Sequence, residues 1–519
     1  MYPLRSTRLH ALAAFTWFER RFDRLFGSRL NPLRQLGALG FMLFWLLAVS
    51  GIYLYVVLDS SAEGAYVSID QLSRQQWYLG GVLRSVHRYA ADAFIVVMLL
   101  HLLREALLGR YSGFRRFSWL TGVPLVVLAF TSAIGGFWLN WDQLGQFSAL
   151  ATAELLDVLP VFASPLTRNF LDAAAVSDRL FSLFIFVHVG TSLFLVFGLW
   201  FHIQRLAHAA IFPPRAMALG VLGGLLGMAL IAPVLSHPPA DMALAPTTLA
   251  LDWMLLFIHP LATATSPGAV WVALMSALAL LFALPFLPQS ATAPVAVVDP
   301  ANCNGCRRCF DDCPYAAVTM VAHPIRSVRQ MAQVNPDLCA SCGICVGACP
   351  SSTPFRSVAE LVTGIDMPAS PIGALRQRLT DGLAALGATH HKIVVFGCQH
   401  GTDVGRVASA DVLPLPLTCI AQMPPSFIEY ALRDGASGVV VSGCTEVGCV
   451  FRLGQRWTAQ RLRGTREPHL RTSVHGERVE LVWADAGDET DLRSAVSTLR
   501  RRLADSITPT NATAAPAHG

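Results

Sequence analysis

Lysine occurs once in this chain, at Lys392, and cysteine does not occur before Cys303. The positive charge is therefore arginine, which reflects genome composition more than function. Charged residues make up only 14% of the chain against 53% hydrophobic, with a mean hydropathy of +0.48, too apolar for a purely soluble protein. No cleavable apolar leader is evident in MYPLRSTRLHALAAFTWFERRFDRLFGSRLNPLR, so a secretory signal is not expected. A Walker motif is missing, and so is a convincing dinucleotide fingerprint; GVLGGLLG lies in an apolar run and reads as helix packing. A net charge of +5 is explained by basic loops at a membrane face and gives no argument for nucleic acid.

What is present is unevenly spread. Apolar runs crowd residues 36–288, and all twelve cysteines follow. This predicts a membrane half followed by a soluble, cysteine-rich half. A span needs ~20 apolar residues, and six stretches qualify: 36–57, 84–107, 118–139, 180–203, 216–235 and 268–288. Arginines cluster before the first run, between the second and third (Arg104, Arg110, Arg115, Arg116) and between the fourth and fifth (Arg205, Arg215). The alternate loops carry acids. The positive-inside rule then places the N-terminus, and after six crossings the C-terminal half, in the cytoplasm of a bacterial or archaeal cell.

The second run contains HRYAADAFIVVMLLH, with His87 and His101 fourteen residues apart. Fourteen steps of ~100° fall about 40° short of four turns, so both lie on one helix face, ~21 Å apart along the axis. The fourth run repeats the spacing with His188 and His202. Buried polar groups are costly in hydrocarbon. Two parallel helices with an imidazole at each of two levels can hold two stacked planar iron macrocycles, each between two histidines. Gly37 and Gly51 in the first run, and Gly122 and Gly136 in the third, share the same spacing. Glycine lets a flat, bulky group approach a helix backbone. The competing reading is that the histidines bond between helices and the glycines only pack them.

Residues 30–290 resemble cytochrome b of the quinol-oxidising bc-type complexes, closest to that of photosynthetic membranes. The resemblance rests on Arg84-Ser-Val-His87-Arg88, on FHIQR after the fourth run, and on GGFWLNWDQLGQFSALA from Gly135, where Asn140 stands at a usual proline. It implies a six-helix, all-α transmembrane bundle holding two haem b groups. His87 and His188 would bind the haem near the outer face, and His101 and His202 the one near the cytoplasm. Arg84 would be a propionate partner. The family's arginine five residues before its first fourth-span histidine has no match here, where Arg179 stands nine before His188. With no cysteine in the first run, the covalently attached extra haem of photosynthetic relatives is not expected. The family's Pro-Glu-Trp-Tyr at the outer quinol pocket is represented by Leu251-Asp252-Trp253-Met254. Asp252 keeps a carboxylate that could accept a quinol proton; the alternative is a solvated loop residue. No high-potential Rieske-type segment is encoded.

After a linker at 289–298, Cys303-x2-Cys306-x2-Cys309-x3-Cys313-Pro is repeated as Cys339-x2-Cys342-x2-Cys345-x3-Cys349-Pro. In this two-cluster ferredoxin signature the fourth cysteine ligates the other cluster. One 4Fe-4S cluster would take Cys303, Cys306, Cys309 and Cys349, and the other Cys339, Cys342, Cys345 and Cys313. Zinc is the runner-up, and disulfides are disfavoured in the cytoplasm.

The last four cysteines lie in KIVVFGCQHGTDVGR, PLTCIAQM and GVVVSGCTEVGCVFRLG. Cys398, Cys419 and Cys444 sit near short β-like runs, which predicts loops at strand ends of a small α/β domain. Residues 390–465 resemble the delta subunit of methyl-viologen-reducing hydrogenase, through PLTC, GASGVVVSGC and GCVFRLG. That family usually has two cysteines in its first loop; Gly401 stands at the second here. Cys398, Cys419, Cys444 and Cys449 suffice for one 2Fe-2S cluster, with zinc or structural thiols as alternatives.

The expected organisation is thus a cytoplasmic amphipathic N-terminus (1–35), the membrane domain (36–288), the linker, the ferredoxin domain (299–356), a connector (357–389) with a helix at Ile372–Leu386, the delta-like domain (390–505) and a disordered tail (506–519). The expected function is that of an oxidoreductase subunit carrying electrons between membrane quinone and a cytoplasmic flavoprotein or iron–sulfur partner of the heterodisulfide-reductase or hydrogenase type. Homodimerisation through the membrane half is a further expectation. Two rival readings are quinol oxidation that drives electrons inward to low-potential clusters, and a non-turnover redox-sensing or assembly scaffold.

Overall fold

The computed structural model describes residues 2–171, 175–207, 209–243, 248–287, 294–352, 361–387, 391–474 and 476–505. The expected tail at 506–519, and parts of the linker and connector, lie outside these. The chain divides into two compact units, residues 1–204 with 209–288, and 205–208 with 289–519.

The first unit is helical among the described residues. Its helices are α1 (Tyr2–Phe26), α2 (Leu36–Val57), α3 (Gly64–Arg74), α4 (Val82–Leu107), α5 (Arg116–Trp138), α6 (Gln143–Asp157), α7 (Asp178–Ile203), α8 (Arg215–Ile231), α9 (Ile258–Ala264) and α10 (Pro267–Ala283). The six apolar runs all become helices. Four stretches are long and apolar enough to cross a membrane: Leu36–Val57, Gly113–Trp138, Asp178–Ile203 and Pro267–Phe286. The other two expected spans fall outside that set for identifiable reasons. Helix α4 carries Arg84, Arg88, Asp92, Arg104 and Glu105 among its 26 residues. Helix α8 was expected to run to 235 but ends at Ile231 after 17 residues, just before Pro233, whose ring disfavours helical geometry at the preceding residue.

Packing follows helix pairs: α2 lies along α4, α5 along α7, and α8 against α4. Large apolar side chains such as Phe186, Phe194 and Phe197 on α7 face outward, as lipid-facing positions should. One end of the bundle is closed by an aromatic core of Trp138, Trp141, Phe181 and Phe184.

The second unit contains two folded parts. In the first, β1 (Val297–Val298) pairs antiparallel with β4 (Ile365–Asp366), and β2 (Val318–Ala322) with β3 (Gln330–Val334). Short helices α11 (Arg308–Asp311) and α12 (Ile344–Ala348) follow the cysteine loops. The β1–β4 ladder draws in residues that the sequence assigned to a linker and a connector, because Val298 and its partner Ile365 pack into the core that contains Cys303 and Cys309.

The second part is an α/β layer. Four parallel strands lie in the order β6 (Val412–Leu417), β5 (Ile393–Cys398), β7 (Gly438–Gly443) and β8 (Val479–Trp483). Strands β5 and β7 are buried along their whole length, as central parallel strands covered on both faces must be. The covering helices are α13 (Ile372–Ala385), α14 (Ser426–Arg433) and α16 (Glu489–Asp505), with α15 (Gly454–Leu462) packed beside the Ile420–Gln422 turn.

Candidate redox centres

The four histidines sit on α4 and α7, and the four glycines on the helices packed behind them. A Cβ on Gly51 would stand 3.1 Å from Cε1 of His87, and one on Gly136 3.1 Å from Cε1 of His188. One on Gly122 would stand 3.1 Å from Cε1 of His202, and one on Gly37 3.5 Å from Cε1 of His101. Each glycine is thus matched to one histidine. The space it leaves is filled by the imidazole edge itself, a closer reason than the approach of a flat ligand.

His87 and His188 face each other with ring centres 6.3 Å apart. A metal–imidazole bond of ~2.0 Å, plus ~1.1 Å from nitrogen to ring centre on each side, spans ~6.2 Å. The pair therefore fits one metal held between two rings. Second contacts aim the rings. Nδ1 of His188 lies 2.7 Å from the carbonyl oxygen of Ser132, Nδ1 of His87 2.9 Å from Oγ of Ser50, and Nδ1 of His202 3.0 Å from Oγ1 of Thr121. The two hydroxyls donate to carbonyls one turn back on their own helices, Leu46 at 2.7 Å and Phe117 at 2.8 Å, so each oxygen accepts from an imidazole N–H. Nε2 is then left with its lone pair, the arrangement a metal requires. Ser50 and Thr121 were not singled out in the sequence, although each directly precedes one of the spaced glycines.

Arg84 donates to Oγ of Ser73 at 2.6 Å and to Oδ1 of Asn140 at 3.1 Å. Asn140, the departure from the family's proline, also donates to Asp142, whose other oxygen caps α6 through Gly145 N at 2.9 Å. Arg84 is thus held in a polar cluster at one end of α4. Arg179 is exposed. Asp252 forms an ion pair with Arg88, the neighbour of His87; Arg88 also pairs with Asp92 and lies over the Phe137 ring at 5.0 Å. The other oxygen of Asp252 accepts from backbone N–H of Met254 (3.0 Å) and Leu255 (2.6 Å). Asp252 is anchored, not a freely solvated loop residue.

In the second unit the eight ferredoxin-type cysteines divide between two cavities. Cys313, Cys339, Cys342 and Cys345 line one; Cys303, Cys306, Cys309 and Cys349 line the other. Cys313 of the first repeat thus lines the cavity of the second, and Cys349 of the second repeat that of the first. Both loops use left-handed backbone at the same two register positions, Gly305 and Arg307 in the first, Ser341 and Gly343 in the second. These turns bring three sulfurs of each loop to a common centre. Burial pushes the thiols of Cys309 and Cys342 up to about 12, and that of Cys345 well above the ordinary thiol range. Such thiols ionise when a cation supplies the balancing charge.

The remaining four cysteines meet at the carboxyl ends of the parallel strands. Cys398 ends β5, Cys419 follows β6 and Cys444 follows β7, with Cys449 in the loop beyond. This is the edge at which open α/β sheets place their sites. Cys398 contacts both Cys419 and Cys444, and Cys444 contacts Cys449, through their sulfurs. Those shared hydrogen bonds hold the Cys398 and Cys449 thiols down and drive Cys419 and Cys444 up. Gly401 sits with its Cα against the Cys444 backbone, where a Cβ would be 3.0 Å from Cys444 N and 3.0 Å from the Ala484 carbonyl. A side chain there would crowd the loop, so the four-thiol set stands without a fifth. Asp485 clamps the same loop, accepting from Thr445 N and Thr445 Oγ1, each at 2.9 Å.

Comparison with known proteins agrees part by part. Residues 21–210 match the family described as cytochrome b/b6/petB. Residues 302–353 match the 4Fe-4S dicluster domain, and residues 393–505 the methyl-viologen-reducing hydrogenase delta subunit. A solved structure titled "Hyperthermophilic respiratory Complex III" is similar at 20% identity over 49% of this chain and 75% of its own, with a TM-score of 0.41. One polypeptide here joins segments that match cytochrome b, a 4Fe-4S dicluster domain and a hydrogenase delta subunit.

Proposed function

We propose that this chain is the membrane subunit of a quinone oxidoreductase, passing electrons between a cytoplasmic flavoprotein or iron–sulfur partner and membrane quinone. The observation that carries the reading is the His87–His188 pair, 6.3 Å between ring centres, each ring backed by a glycine and each Nδ1 engaged. The cytochrome b match supports haem b, and the dicluster match supports iron–sulfur clusters. When bound, these groups supply one-electron storage and relay, chemistry that no side chain offers.

The chain's own residues do the rest. His87 and His188 hold one haem b and His101 and His202 a second, with Ser50, Thr121 and the Ser132 carbonyl setting tautomer and ring direction. Arg84 is a propionate partner held in place by Ser73 and Asn140. Cys303, Cys306, Cys309 and Cys349 hold one 4Fe-4S cluster, Cys313, Cys339, Cys342 and Cys345 the other. Cys398, Cys419, Cys444 and Cys449 hold a 2Fe-2S cluster. Asp252 accepts a proton from quinol or returns one to quinone, its carboxylate held by Arg88 beside His87. All six apolar helices cross the cytoplasmic membrane, with both termini inside. The hydrogenase delta-subunit match supports a multi-subunit assembly.

The test is optical. Dithionite-reduced protein should show low-spin b-type absorbance that a quinone analogue bleaches. Haems that never reoxidise would favour the scaffold reading over turnover.

A further inference from the structure

A buried charge cluster joins the ferredoxin-type part to the delta-like part of the second unit. Arg461 on α15 is 1% exposed, the largest fully buried side chain among the described residues. It donates to the carbonyl of Ala421 at 3.0 Å, two residues from Cys419, and to the carbonyl of Ile344 at 3.4 Å, between Cys342 and Cys345. It also forms an ion pair with Asp312, itself beside Cys313. Arg466 pairs with the other oxygen of Asp312 and stacks on Trp457, 3.5 Å from the ring centre, and the Trp457 indole donates to the Asp312 carbonyl at 3.2 Å. Two guanidinium groups thus face one carboxylate, leaving one surplus positive charge.

That charge lies where two cages meet. Helix α12, which carries Cys345, packs on the turn after Cys419 so closely that a Cβ on Gly347 would overlap the Ala421 carbonyl and one on Gly343 the Gln422 side chain. Cys342 and Cys419 are within electrostatic reach of each other, and Arg461 within reach of Cys419. The third cage, Cys303, Cys306, Cys309 and Cys349, lines a separate cavity; of the Arg461 partners Ala421, Ile344 and Asp312, Ile344 lines the Cys313 cavity and none lines this one.

We propose that Arg461 is the fixed cation that sets the reduction potentials of the iron–sulfur groups in the two cages it bridges, Cys313/Cys339/Cys342/Cys345 and Cys398/Cys419/Cys444/Cys449. Reduction of either cage adds one electron and one negative charge, with no atom gained or lost. A thiolate-held cluster is anionic, and burial keeps water from screening a nearby guanidinium, so Arg461 favours the reduced state. Asp312, the carboxylate of this network, opposes it. Neutralising the two should therefore move the potentials in opposite directions, which damage to packing would not do. The inference rests on the proposed cluster content of the two cages.

The experiment is a potentiometric titration of the full chain followed by electron paramagnetic resonance, which resolves the three cages. In Arg461→Gln the two flanking cages should be about tenfold less reduced at a given ambient potential, a shift of ~59 mV for one electron. The Cys303 cage should keep its potential. Arg461→Lys should restore most of the shift, and Asp312→Asn should move the same two cages the other way. Unchanged potentials, equal shifts in all three cages, or shifts of one sign in Arg461→Gln and Asp312→Asn would overturn the role of Arg461. Should Arg461→Gln not fold, the sign of the Asp312→Asn shift decides alone. Protein without iron in these cages would overturn the cluster reading as well, whereas iron with unmoved potentials overturns only this inference.

Discussion

Ser50 on α2 places its hydroxyl oxygen 2.9 Å from Nδ1 of His87 on α4, while its proton is directed to the Leu46 carbonyl. One hydroxyl thereby fixes which imidazole nitrogen is free. Ser50→Ala removes the acceptor and leaves Nδ1–H without its partner. Losing such a contact behind a ligand costs roughly 10–100-fold in affinity for the bound group. Haem retention after detergent washing should fall accordingly, with the His101–His202 site unaffected. Thr121→Ala should do the reverse, weakening the site that contains His202.

Gly136 supplies a sharper test of the same frame. A Cβ there meets Cε1 and Nδ1 of His188 at 3.1 and 3.3 Å. Alanine demands a shift of a few tenths of an ångström, and valine cannot be accommodated without displacing the ring. Gly136→Val should lower the haem-to-protein ratio from two to one, as should His188→Ala. A ratio that stays at two would detach His188 from ligation.

Asp252→Asn keeps the shape of the side chain and removes both the charge that pairs with Arg88 and the proton acceptor. A positioned general base contributes typically 10²–10⁴-fold to rate. Quinone-linked turnover should drop by at least ~100-fold on that scale, with haem content and cluster signals unchanged. Turnover equal to the unsubstituted protein would remove Asp252 from the site.

The crossed cysteine grouping is testable by single substitutions. Cys349→Ser should remove the cluster signal belonging to Cys303, Cys306 and Cys309, although Cys349 lies in the second repeat. Cys313→Ser should remove the other. Loss of the signal from the variant's own repeat would reverse the assignment.

What the sequence showed depended on periodicity. The fourteen-residue spacing places His87 and His101 on one face whatever surrounds them, because helical period is local, and the structure keeps them so. The cysteine repeats were legible for the same reason: the loop between Cys303 and Cys309 is short enough that spacing determines its shape. The parts that escaped are contacts between distant segments. Ser50 and His87 are 37 residues apart, and nothing in either helix alone announces the hydrogen bond. Arg461 and Asp312 lie 149 residues apart, on elements that read as unrelated domains. The two-residue ladder of Val297–Val298 with Ile365–Asp366 is too short to register as alternation, so its strands read as linker and connector. Helices α8 and α4 illustrate another limit, since hydropathy marks an apolar run without saying where Pro233 stops a helix or how many charges one can carry.

We propose that four histidines on two helices hold two haems in series with three thiolate cages. Pyridine haemochrome and iron determinations on the purified protein are the measurement that decides. Two haem b per chain, with iron well in excess of haem and a low-spin reduced spectrum, is the expected result. Protein that folds, inserts in membranes and contains neither haem nor cluster iron would contradict it.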